Sequence, residues 1–202
     1  MSMRLASSPL AISLTLTVLA AIPVAGASPM PSSAAPSNAA SASPSDAAAT
    51  TFTSDTYGYS LTVPPDWTTV QATEAWDGQG APGHHLAVAN QFVGPATASA
   101  WAYAAATRED PAAYVESRIA GNFADHSDTC PQNPEVQEPI TIGGDAGTFL
   151  AWDCGILINQ AVVVHDGVGY LFGFRDPAVH AATDAADRLT FEQLLAQVSF
   201  PG

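Results

Sequence analysis

The stretch TYGYSLTVPPDWTTV, residues 56–70, sets two readings against each other. Tyr57, Tyr59, Leu61 and Val63 alternate with Gly58, Ser60 and Thr62, the two-residue period of a strand buried on one face. Pro64-Pro65-Asp66 ends that strand, because proline offers no N–H to a ladder, and Trp67 starts a second extended run to Val70. The pattern fits a hairpin that closes one end of a core and buries Tyr59, Leu61 and Trp67. Aromatic bodies bury large areas there while their polar tips reach partners. The other reading is a binding platform, with the same aromatics facing a ligand.

Outward from this motif, EAWDGQGAPGHH (residues 74–85) is a glycine-rich loop with only Trp76 to bury. Long loops carry function more often than strands do. Residues 86–93 and 99–106 read as strands, the second with Trp101 and Tyr103 on one face. Asp110-Pro111 opens a helix, since aspartate caps and proline is tolerated in the first turn. Its apolar stripe is Ala112, Val115, Ile119 and Phe123, ending near His126. Residues 136–142, 148–154, 156–164 and 170–175 follow as antiparallel strands, with turns at Gly143-Gly144-Asp145 and His165-Asp166-Gly167. Asp184 caps a last helix with Phe191, Leu194, Leu195 and Val198 as its stripe, and residues 198–200 leave as a short strand. The expected class is α+β: an antiparallel sheet with helices on its faces.

Two motifs carry a family resemblance. F-x-S-x-x-Y-G-Y-S-L-T-x-P-x-x-W, here Phe52 to Trp67, and the closing F-x-x-L-L-x-x-V-x-F, here Phe191 to Phe200, resemble the PsbP-like α/β/α sandwich family, which includes many exported bacterial proteins of unknown role. These are packing motifs, so the resemblance implies a fold and an assembly or binding role, with no shared catalytic set. The chain departs from the lipoprotein members, which carry an anchor cysteine after the leader.

The first 27 residues hold Arg4, an apolar run over residues 10–25 and the small triplet Ala25-Gly26-Ala27, the pattern of a secretory signal peptide cleaved after Ala27. An uncleaved anchor is the alternative, the run being at the short end of a bilayer span. Residues 28–50 are nearly all alanine, serine and proline and form a disordered tether, leaving residues 51–202 as one globular domain. Such a chain is secreted or held in the cell envelope, with no integral membrane domain once the signal is removed. Export makes a disulfide between Cys130 and Cys154 the natural reading of an even cysteine count, against a redox pair or metal thiolates.

Loss of Arg4 with the leader takes the formal charge from −14 to −15. Phosphate backbones and anionic lipid surfaces repel such a chain, so nucleic acid is not an expected partner. The sequence contains no lysine, which removes the P-loop lysine, Schiff-base chemistry and the Ser-Lys dyad. It has no G-x-S-x-G and no dinucleotide fingerprint, and no catalytic residue is assigned. Histidine meets carboxylate at Asp77 with His84 and His85, at Asp125-His126-Asp128, at His165-Asp166, and at Asp176 with His180. None has a metalloprotease or EF-hand spacing; the plain alternative is caps and turns in an acidic protein. Asp77, His84 and His85 form the preferred ligand or metal loop, because they share the glycine-rich segment. Asp66, Glu74, Asp77 and Asp153 supply carboxylates for a glycosidase pair without selecting one. The leading expectation is an exported, non-catalytic domain that binds an unknown protein or small molecule and needs no cofactor. A metal-dependent enzyme using the 74–85 loop and a structural envelope protein are the rivals.

Overall fold

The computed structural model describes residues 48–80, 86–95, 97–176 and 185–202. The chain runs β1 (Thr50–Thr53), β2 (Ser60–Val63), β3 (Thr68–Val70), a 3₁₀ turn (Leu86–Val88), β4 (Asn90–Val93), β5 (Ser99–Ala106), α1 (Pro111–His126), β6 (Val136–Ile142), β7 (Asp145–Asp153), β8 (Leu157–His165), β9 (Val168–Arg175), α2 (Ala185–Leu195) and β10 (Val198–Ser199). Seven strands form an antiparallel sheet in the order β3-β4-β5-β9-β8-β7-β6, and β1-β2-β10 form a small second sheet. The class is α+β with antiparallel sheets.

Strand alternation places the helices on opposite faces. Leu150 and Trp152 of β7 pack with Tyr114, Val115 and Ile119 of α1, while Phe149 and Ala151 belong to the cluster holding Phe191, Leu194 and Leu195 of α2. That second cluster also contains Leu61 and Val63, so the small sheet and α2 share one face and α1 has the other. Both hairpin turns of the central strands have positive φ at their two corner residues: Gly143 and Gly144 at 57° and 94°, Asp166 and Gly167 at 46° and 77°. Type I′ turns require this, and their twist matches that of the strands they join.

The structure redraws the segment around residues 56–70. Gly58, at φ 78°, turns the chain, and the strand begins only at Ser60. No hairpin follows: β2 pairs with β1 and β10, whereas β3 pairs with β4 in the other sheet. Pro64-Pro65-Asp66 is therefore a crossing between sheets. Residues 86–93 also divide, because the 3₁₀ turn precedes Asn90 and delays the strand. β7 in turn begins at Asp145, three residues before the expected start. The cap expected at Asp184 lies outside the described residues.

Tyr59 and Leu61 are core residues, at 0% and 4% exposure, and Trp67 is half-buried beneath Gly94 and near Phe174. The tyrosines anchor a buried polar network. Asn90 Nδ2 donates to the Tyr59 hydroxyl at 3.0 Å and to Ser54 Oγ at 2.7 Å, and Asn90 Oδ1 accepts from the Ala72 amide at 2.8 Å. The Tyr57 hydroxyl donates to the Val88 carbonyl and accepts from the Trp76 amide. Burial, eased by the Asn90 bond, raises the pKa of Tyr59 far above its ordinary value, so it serves as a neutral structural hydroxyl.

Candidate functional site

Helix α1 positions the site. Asp110 holds extended backbone and accepts from the Ala113 amide at 2.9 Å, with Pro111 in the first turn, which fixes the helix start and so its rotation. From that start, spacing by four places Tyr114, Arg118, Asn122 and His126 in one line beside the apolar pair Val115 and Ile119. Arg118 and Asn122 are buried, at 8% and 4% exposure. The stripe expected from Ala112 and Phe123 is thus rotated: Ala112 is exposed and Phe123 half-buried.

Between this polar line and the large sheet lies a cavity of about 320 Å³. Trp101 and Tyr103 of β5, Leu171 of β9, and Ile158 and Gln160 of β8 line it on the sheet side; the Cys130–Cys154 disulfide lines it too. Register puts Trp101 opposite Gly173 and Tyr103 opposite Leu171, so both aromatics leave the same face of the sheet. The indole covers Gly173 so closely that a Cβ there would come 2.1 Å from the ring. Glycine at 173 is what lets Trp101 lie flat on the sheet.

The Arg118 guanidinium lies over the rings of Trp76 and Tyr114, 4.9 and 5.2 Å from their centroids, and Nη1 donates to the Gly80 carbonyl at 3.1 Å. Ring faces attract the cation but leave its in-plane N–H groups to other acceptors. Nε has no hydrogen-bond partner among the described residues, nor do Asn122 Nδ2 and Gln160 Oε1. Arg175, also in the wall, donates from Nε to Ser99 Oγ at 3.4 Å. Among the described residues lining the cavity stand Arg118, Arg175 and His126 but neither aspartate nor glutamate. Burial pushes Tyr114 up to about 12, opposed by Arg118, and raises Tyr103 further, opposed by Arg175; both remain neutral hydroxyls at physiological pH.

The residues singled out from sequence fare differently. Cys130 and Cys154 are brought together in a disulfide. Asp77 is exposed, and its Oδ1 accepts from the Gln79 amide two residues on, at 2.9 Å, as a turn-forming aspartate does. His84, His85 and His180 lie outside the described residues. Asp153 accepts from the Gly155 amide, Asp176 from Thr97 Oγ1, and Asp66 and Glu74 are exposed. His165 is bonded to Asp145 rather than paired closely with Asp166. Among the described residues no group of three or more His, Cys, Asp or Glu is arranged to hold a metal ion. The sequence reading missed Arg118, Asn122, Gln160 and Arg175. Its available signal was the 114-118-122-126 line, in which polar residues run beside an apolar stripe.

No protein-family model matches the sequence, and no curated protein matches it. Solved structures do. The solution structure of cyanobacterial PsbP (CyanoP) from Synechocystis sp. PCC 6803 aligns with a TM-score of 0.54 at 13% identity, over 77% of this chain and 94% of that one. A Bacteroides thetaiotaomicron structure aligns at 0.40 and 12%, over 71% and 45% of the two chains. LpqN of Mycobacterium tuberculosis, described as involved in cell envelope biogenesis, aligns at 0.35 and 16%, over 71% and 84%. The chain has a PsbP-like fold, in which α1 and the face of the large sheet enclose the cavity.

Proposed function

We propose that this chain is an exported, non-catalytic binding domain whose small-molecule site is the cavity between α1 and the large sheet. The carrying observation is a preformed concavity of about 320 Å³ with an aromatic and aliphatic floor and a few converging polar groups, the usual make-up of a ligand site. The leader sequence and the disulfide support export. The absence of nucleophile and lysine motifs from the sequence supports binding over catalysis. Among the described residues nothing supports the metal-enzyme rival, Asp77 accepting from the Gln79 amide of its own loop, while His84 and His85 lie outside them. The test uses the full mature chain and the neutral fluorescent probe N-phenyl-1-naphthylamine. The probe should be taken up saturably at one site per chain. Ile158→Trp, placed on the cavity wall where Ile158 is half-exposed, should abolish uptake with little change in thermal midpoint. Absence of saturable uptake, or equal uptake by Ile158→Trp, defeats the reading and leaves a structural envelope role.

A further inference from the structure

We propose that the cavity selects an amphipathic anion, an oxyanion head on an apolar body, with the head held by Arg118 and Asn122 and the body lying on Trp101 and Leu171. This rests on the cavity being the ligand site and adds the chemistry of what enters it.

Charge distribution is the first ground. The chain has 19 acidic and 5 basic residues, yet two of its arginines and His126 line this cavity, and no carboxylate does among the described residues. A small region of positive potential inside a negative envelope favours an anion at that point and repels a cation.

The state of Arg118 is the second ground. A buried guanidinium is ordinarily paired with carboxylate, because leaving water without that compensation is costly. Arg188 of α2 shows the ordinary solution here: it bridges Glu138 at 2.8 Å and Glu192 at 2.7 Å while lying on Phe149. Arg118 is more buried and has no carboxylate partner among the described residues, only the Gly80 carbonyl and two ring faces. Asn122, one turn along, has an Nδ2 without a partner. An oxyanion within reach of these groups accepts charge-assisted hydrogen bonds, which are stronger than neutral ones. The apolar side of the ligand follows from Trp101, Leu171 and Ile158 in the same wall.

Competition against N-phenyl-1-naphthylamine at pH 8 tests this, with decanoate, decyl phosphate, decanol and decyltrimethylammonium as competitors of one chain length. Decanoate or decyl phosphate should displace the probe at least about tenfold better than decanol, and decyltrimethylammonium worse than decanol. The two anionic arms separate a carboxylate from a phosphate head. Arg118→Gln should remove the anion preference, bringing displacement by decanoate and decyl phosphate down to that by decanol. Should Arg118→Gln fail to fold, the head-group series on the parent protein decides alone. Equal displacement by anions and decanol overturns the anion proposal while leaving the cavity as an apolar site. Failure of the probe itself to bind overturns the underlying reading instead, so the two failures are distinguishable.

Discussion

Asn90 shows how much of this fold hangs on single polar atoms. Fully buried on β4, it satisfies the Ala72 amide, Ser54 and Tyr59 at once, and so ties three segments of chain. Removing it strands the Ala72 N–H without a partner and takes a donor from the Tyr59 hydroxyl, while Ser54 Oγ keeps the Tyr57 amide. A buried donor left unsatisfied costs more than the bond contributed net. Asn90→Ala is therefore expected to lower stability by about 2 to 4 kcal/mol in urea unfolding, and Tyr59→Phe by only about 1 kcal/mol, because Ser54 still accepts from Asn90. Similar losses for both variants would show that the network is worth no more than its single hydroxyl bond. Trp67 behaves differently despite sharing the tyrosine motif: half-buried against Gly94, it has less area to lose than a fully enclosed indole.

Elements were legible where local chemistry decides them. The start of α1 follows from Asp110-Pro111, the turns of the central hairpins from glycine, and the disulfide from export with an even cysteine count. Partnership between strands was not legible, because whether β2 folds back on β3 or crosses to β10 depends on residues more than a hundred positions away. The site failed for a related reason. Arg118 and Asn122 look like surface residues of an amphipathic helix, and only the rotation of α1 against β8 buries them. The disulfide belongs to this scale, since it joins the chain just beyond α1 to the end of β7 and lines the cavity. Replacing Cys130 and Cys154 together with serine should lower stability by about 3 kcal/mol through the freed denatured chain, and weaken probe uptake. Unfolding midpoints that do not respond to the double substitution, or to reductant in the parent, would remove the disulfide from the stability argument.

For the molecule as a whole, pH acts through its acidity and, among the described residues, through His165. With 19 acidic residues and an isoelectric point near 4.2, negative self-repulsion weakens as pH falls from 9 toward 5.5. His165 adds a specific term at the end of β8. Its Nδ1 lies 2.6 Å from Asp145 Oδ2, its Nε2 lies 3.1 Å from the Pro201 carbonyl, and the ring stacks on Phe200 at 4.8 Å. Both partners are acceptors, and only the imidazolium has an N–H for each. The hydrogen bond to Asp145 is the main cause that raises the His165 pKa above its ordinary value, with Pro201 and the charges of Asp145 and Asp166 adding to it against some desolvation. A raised folded pKa means that folding favours the protonated form. The resulting stability is fully present below the unfolded histidine value of about 6.5 and is lost as pH rises through the folded pKa. Partial exposure of the ring keeps the effect modest, since solvent screens the pair. Urea unfolding of the parent and of His165→Gln across pH 5.5 to 9 separates this from the general charge effect, which both proteins share. The stability gap between them should be widest at pH 5.5 and narrow toward pH 9, and Asp145→Asn should show the same narrowing. A gap that stays constant with pH would mean that the C-terminal segment is held by the Phe200 stack and by packing, with no contribution from the imidazolium.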